Sequence, residues 1–107
     1  DGTQTRSFIY VTDEVEGLLK FLVSKRGKGE VINIGSNHEI KIIELAKLIL
    51  KLTGSSSKIT FKPLPRDDPK RRCPDIAKAR KILKWKPTTS LGVGLEKTIA
   101  HFRLAQK

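Results

Sequence analysis

The sequence predicts an α/β fold: a small sheet of short strands packed by about four helices. Three observations carry this. Short runs rich in β-branched residues alternate with longer stretches whose apolar residues recur at helical spacing, an order that favours helices layered on a sheet. Glycines, prolines and cap-type residues punctuate the boundaries. The length, 107 residues with 37% hydrophobic content, suits one small domain with a single modest core.

In chain order, "RSFIYV" (Arg6–Val11) is rich in β-formers and predicts a strand. Asp13 is placed to cap the helix that follows, with Glu16 three residues on as in a capping box. Val15, Leu18, Leu19, Leu22 and Val23 form its apolar stripe, and Gly27 suits the left-handed residue that closes it. "EVINIG" (Glu30–Gly35) predicts a buried strand, and "SNHE" a polar turn. A second helix carries Ile42, Leu45, Ala46, Ile49 and Leu52 on one face; Gly54 ends it, and Lys41 stands where a hydroxyl cap is expected.

"KITFKP" (Lys58–Pro63) alternates as a half-buried edge strand does. "LPRDDPKRRCP" holds three prolines in eleven residues and predicts an extended loop. Asp75 caps a third helix with Ile76, Ala79, Ile82 and Leu83 inward, and Trp85 and Pro87 follow as a buried knuckle. Ser90 caps the last helix, whose stripe is Leu91, Leu95, Ile99 and Phe102.

The charge is lopsided, 22 Lys and Arg against 11 Asp and Glu. Eleven of the basic residues fall between Lys58 and Lys86, against three acidic ones. Such a surface attracts polyanions and phosphates. A basic nucleic-acid-binding module is therefore one reading; it requires an affinity that falls steeply with salt. Against it, the outward Lys78, Arg80, Lys81 and Lys84 of the third helix lack interleaved aromatics for base stacking. No run of 18 apolar residues spans a membrane, and "DGTQTRSF" has neither region of a signal peptide. The single cysteine, Cys73, allows no internal disulfide and fits a reducing, cytoplasmic compartment. With no Met anywhere, the chain reads as a piece of a longer protein.

Most catalytic motifs are excluded. The glycines complete neither G-x-G-x-x-G nor a P-loop, so no NAD turn and no Walker site is present. His38 and His101 have no i, i+4 partner and build no metal site. No G-x-S-x-G occurs, and Cys73, although next to Arg71 and Arg72, has no paired base.

What remains is arginine at element ends. Arg6 stands just before a strand, and Arg71 and Arg72 just before a helix. The guanidinium fork binds phosphate or carboxylate in a bidentate way, and a helix N-terminus adds free N–H groups. Arg72, three residues ahead of Asp75, can clamp an anion. The competing reading pairs Arg71 and Arg72 with Asp67 and Asp68 at the surface.

Four blocks, "DGTQTRSFIYVTDEVEGLL", "VINIGSNHEIKIIELAKLI", "DDPKRRCPDIAKARKILKWKP" and "SLGVGLEKTIAHFR", resemble in order and spacing the C-terminal part of extended short-chain dehydrogenase/reductases. These are NAD-dependent nucleotide-sugar epimerases and dehydratases. Gln4–Val11 (Q-T-R-S-F-x-Y-V) and Asp67–Ile76 (D-D-P-x-x-R-x-P-D-I) are most similar to the UDP-glucuronate decarboxylase branch. The resemblance implies a UDP-sugar-binding domain over residues 1–107, with NAD bound by a separate Rossmann domain and a homodimeric parent. It implies that Arg6 faces the diphosphate and sugar, that Arg72 contacts the diphosphate, and that Gln4 and Thr3 lie near uridine and ribose. It further implies that the parent oxidises the C4 hydroxyl of UDP-glucuronate, loses CO2 from the 4-keto acid and returns the hydride to give UDP-xylose. The family's Tyr-x-x-x-Lys pair is missing: the only tyrosine is Tyr10, and position 14 is Glu14. The chain alone is therefore expected to be inactive, to hold no cofactor, and to self-associate through faces built for another domain. Val93, Gly92 and Gly94 also depart from the family at the start of the last helix, as Lys41 does at the second. None of these changes removes a binding arginine.

Overall fold

The computed structural model describes residues 1–106. Strand β1 (Thr5–Ser7) pairs antiparallel with β2 (Glu39–Lys41), Arg6 opposite Ile40. Helix α1 spans Val11–Val23, α2 Ile42–Thr53 and α3 Leu91–Ala105. Between α2 and α3, residues 77–83 form a short fourth helix that is π-helical over Ala79–Leu83. The α/β class and the four helices are as the sequence predicts; the sheet is smaller.

Local signals held well. Asp75 Oδ1 accepts from the Ala77 N–H at 2.9 Å, and Ser90 Oγ accepts from the Val93 N–H at 3.3 Å. Gly54 closes α2 at φ 65°, in the left-handed region that a Cβ disfavours. Lys41 is the N-cap of α2 and makes no side-chain cap bond. Trp85 is buried and Pro87 half-buried, as the knuckle requires.

Strands were the weaker expectation. Glu30–Gly35 joins no ladder among the described residues; Ile32 and Ile34 pack on the core while Val31 is exposed. Lys58–Pro63 is likewise unpaired, with Phe61 in solvent. The expected polar turn instead leads into β2, which begins at Glu39. β1 stops at Ser7, and Val11 is already helical. Strand formation depends on which segments meet, so propensity alone misassigned these runs.

Helix α1 departs in two further ways. Its N-cap is Tyr10, so Asp13 sits inside the first turn and is buried. Its end is Ser24, whose Oγ accepts from the Gly27 N–H at 3.0 Å; the left-handed glycine of that turn is Gly29, not Gly27. The apolar stripe of Val15, Leu18, Leu19, Leu22 and Val23 is exposed throughout. The face that packs inward is marked by Asp13 and Gly17.

The core is Ile76, Ala79, Leu83 and Trp85, ringed by partly buried residues that include Ile9, Phe21 and Ile34. Gly17 brings α1 onto it: a Cβ there would lie 2.6 Å from Ile34 Cγ2 and 3.0 Å from Trp85 Cε2. The Asp13 carboxylate accepts from the Thr89 N–H (2.8 Å), the Thr88 N–H (3.2 Å) and the Thr88 hydroxyl (3.1 Å). It thereby ties α1 to the entry of α3.

The chain is a slab of 50 × 37 × 19 Å with a radius of gyration of 16.4 Å, where a compact chain of this length has about 13 Å. It exposes 8349 Å², against roughly 6,000 Å² for a folded monomer of this mass. A surplus of about 2,000 Å² is of the order that large obligate interfaces bury. Much of it is the apolar side of α1, including Leu22 and Val23.

Candidate functional site

The residues singled out by their chemistry meet at one edge of the two-stranded sheet. The Thr5 N–H donates to the Lys70 carbonyl at 2.9 Å, and Thr5 and Arg71 form an isolated parallel bridge. This bridge lays the end of the proline-rich loop along β1. It sets Arg72 one register position beyond Arg71, alongside Arg6, which follows Thr5. Two arginines far apart in sequence thus occupy matched positions on adjacent segments.

A polar network fixes that register. Glu39 on β2 accepts from Arg71 at both oxygens, Nε to Oε1 and Nη2 to Oε2, each at 2.8 Å. Glu39 Oε1 also accepts from the Thr5 hydroxyl at 2.8 Å. The Arg71 fork, then the Thr5 hydroxyl, hold the Glu39 carboxyl well below its ordinary 4.5, at about 2. The same bidentate bond raises the Arg71 guanidinium's pKa. Arg6 donates Nη1–H to the Thr5 carbonyl and Nη2–H to Asp68 Oδ1, both at 2.7 Å, and its side chain is only 18% exposed.

The surface pairing of Arg71 and Arg72 with Asp67 and Asp68 does not occur. Arg71 takes Glu39, Asp68 takes Arg6, and Arg72 is exposed with no ion pair among the described residues. The helix beyond Arg72 spans only residues 77–83, and Asp75 already occupies one of its leading N–H groups. The anion-binding capacity at this edge therefore rests on guanidinium groups, with little from a helix dipole.

Gln4 precedes the bridge, and its carbonyl accepts from the Ile42 N–H at 3.0 Å. Thr3 is exposed, with its N–H and hydroxyl both on Asp1 Oδ1. Thr3, Gln4 and Arg6 thus lie in and just before β1, and Arg72 follows the residue that bridges to it. An apolar groove of about 690 Å³ between α2, α3 and residues 8–11 is lined by other side chains, as is a 610 Å³ cleft around His38 and Thr88. The partners Asp68, Glu39 and Thr5 were missed as members of this site, because each contact joins segments distant in sequence.

The residues present do not fit NAD. Tyr10 is the N-cap of α1, its Cβ packed where a Cβ at Gly94 would come within 3.3 Å, and Lys97 Nζ lies 5.4 Å from its ring centroid. No lysine stands four residues on, and no glycine-rich turn is present.

Comparisons with known proteins show what the whole chain is similar to. The family model described as GDP-mannose 4,6 dehydratase matches residues 1–98. UDP-glucuronic acid decarboxylase 1 of Xenopus tropicalis is 44% identical over 102 residues, which cover 95% of this chain and 24% of that protein. The Arabidopsis thaliana protein of the same name is 42% identical, over 96% of this chain and 23% of its own length. Among solved structures, the UDP-glucuronic acid 4-epimerase of Bacillus cereus, in complex with UDP-glucuronic acid and NAD, superposes with a TM-score of 0.90. It is 36% identical over 98% of this chain and 34% of its own. An epimerase of Methanothermobacter thermautotrophicus reaches 0.94 at 36% identity, over 99% of this chain and 32% of its own. The chain spans about a quarter of the curated relatives and a third of the solved structures. It belongs to the extended short-chain dehydrogenase/reductase family that the GDP-mannose 4,6 dehydratase model describes.

Proposed function

We propose that this chain is the substrate-binding C-terminal domain of a UDP-glucuronate decarboxylase-like enzyme, and that the β1 edge is its half of the UDP-sugar site. The observation that carries this is the Thr5–Arg71 bridge, which joins the two segments on which Arg6 and Arg72 each stand next to a bridged residue. Two guanidinium groups match the two phosphates of a nucleoside diphosphate in charge. Gln4 and Thr3, next along the same edge, are assigned to the uridine and ribose end. Arg6 doubles as the group that faces the sugar carboxylate. The relatives named as UDP-glucuronic acid decarboxylases support the substrate class. The chemistry itself belongs to a separate NAD-binding domain of a longer, cytoplasmic, homodimeric enzyme, so this chain alone turns nothing over.

A sister UDP-sugar 4-epimerase or dehydratase is the second reading, favoured by the epimerase structures that superpose on nearly the whole chain. NMR titration separates the outcomes. UDP and UDP-glucuronate are expected to shift Thr3–Arg6 and Arg72 resonances, with Arg6→Ala and Arg72→Ala each weakening binding about tenfold or more. A measurable affinity that neither substitution changes would refute the clamp. UDP-glucuronate binding no tighter than UDP-glucose would move the assignment to those sister enzymes whose sugar carries no carboxylate. Binding that tracks salt steeply and accepts any polyanion would return weight to the nucleic-acid reading.

A further inference from the structure

The Arg6–Asp68 pair raises an electrostatic question. If Arg6 meets a diphosphate, Asp68 places a carboxylate 2.7 Å from the group that binds it. That negative charge opposes the incoming anion. Yet the loop is shaped to deliver it. The Asp68 N–H closes a turn onto the Pro65 carbonyl at 3.3 Å, Asp67 takes φ 69°, and prolines flank the turn at 65 and 69. Asp tolerates the left-handed region better than most side chains, so Asp67 suits the corner of this turn.

The other contacts explain what the pair accomplishes. Arg6 has five N–H donors; Thr5 O and Asp68 Oδ1 take one each on Nη1 and Nη2. The Nε–H and one hydrogen on each terminal nitrogen remain. A free arginine samples many rotamers and loses that freedom on binding. Here the side chain is fixed beforehand by two hydrogen bonds, next to the residue that bridges to Arg71.

We infer that Asp68 is a positioning residue for the anion site: it holds the Arg6 guanidinium in its binding orientation, at the expense of some local positive potential. The inference rests on the proposed UDP-sugar half-site and adds a residue to it.

The test exploits opposite signs. Replacing Asp68 by Asn removes a negative charge beside the anion, so electrostatics alone predicts tighter UDP binding. Positioning predicts weaker binding, by about tenfold, the scale of ordering one long side chain. UDP is titrated into wild type, D68N, R6A and R6A/D68N, with affinities read by NMR. D68N is expected to weaken binding in wild type and to have no weakening effect once Arg6 is gone. A second readout needs no ligand: the Arg6 Nε–Hε signal is expected to be sharp and slowly exchanging in wild type, and broadened in D68N. D68N that binds as well as or better than wild type, while R6A still weakens binding, overturns the role of Asp68 alone. Binding that ignores R6A, or is absent to millimolar UDP, overturns the half-site and this inference together. An Nε–Hε signal unchanged in D68N also overturns the positioning role.

Discussion

The Trp85 corner and the β1 edge are built from opposite materials. At the corner, Ile76, Ala79, Leu83 and Trp85 are buried and meet α1 through the absent side chain of Gly17. At the edge almost nothing is fully buried, and the register is held by side-chain hydrogen bonds: Thr5 and Arg71 on Glu39, Arg6 on Asp68. Apolar burial is strong and non-directional, whereas charge-assisted bonds between half-exposed groups add little stability but fix geometry. The corner therefore keeps the chain folded, and the edge aims its arginines. Substitutions should separate the two.

The largest effect is expected at the corner. Trp85→Ala should cost about 3–5 kcal/mol, enough to unfold a chain whose buried core is this small. Gly17→Ala is the finer probe. Helix propensity favours Ala by about 1 kcal/mol, but the new methyl would meet Ile34 and Trp85, and overpacking costs about 1–3 kcal/mol. Net destabilisation in urea unfolding supports the seating of α1 described above; a more stable G17A would show that α1 does not lie on Trp85.

Asp13 comes next, and it links the two kinds of chemistry. Burial raises its pKa, but hydrogen bonds from Thr89 and Thr88 outweigh that and hold the carboxyl below its ordinary 3.8. Asp13→Ala strands the Thr88 and Thr89 N–H groups, a loss of about 1–3 kcal/mol, read as a shift in urea midpoint. Because the folded pKa is depressed, this stabilisation is present above pH 3.8 and disappears as pH falls through the folded value.

Glu39 supplies a pH signature for the edge. Its pKa is near 2 when folded and 4.5 ordinarily, with Arg71 and Thr5 as the cause. The Glu39–Arg71 bond is thus fully available above pH 4.5 and is lost as pH falls toward 2. Glu39→Gln should flatten that acid limb of the stability profile and remove the same modest amount of stability at pH 7. It should also loosen the Thr5–Arg71 register, seen as faster exchange of the Thr5 amide, which the Lys70 carbonyl now accepts. An E39Q profile that keeps the wild-type acid slope would mean Glu39 titrates without coupling to folding.

What the sequence disclosed follows from how far each signal reaches. The caps at Asp75 and Ser90 and the left-handed Gly54 are settled within a few residues, so they were legible. So was the Trp85–Pro87 knuckle, because a lone tryptophan between two elements has few other destinations. The pairing of β1 with β2 joins segments more than thirty residues apart, and residues 30–35 and 58–63, with better strand composition, find no strand partner among the described residues. At the candidate site, Arg6 and Arg72 stood out by residue type and position. Their settings did not: that Asp68 pairs with Arg6 rather than with its near neighbours, and that Arg71 is spent on Glu39, are consequences of tertiary contact.

Helix α1 shows the limit of periodicity most plainly, and it carries the smallest predicted effect. Its stripe is apolar as the spacing predicts, yet spacing reveals that a face wants cover without revealing what covers it. Leu22 and Val23 are 80% and 78% exposed, so Leu22→Glu removes almost no burial and should change stability by no more than about 0.5 kcal/mol. The same substitution should lower self-association of the chain in sedimentation velocity, since it charges the surplus apolar surface. Destabilisation on the scale of the Trp85 variant would instead place Leu22 in the core, and the division between a buried corner and an open apolar face would fail.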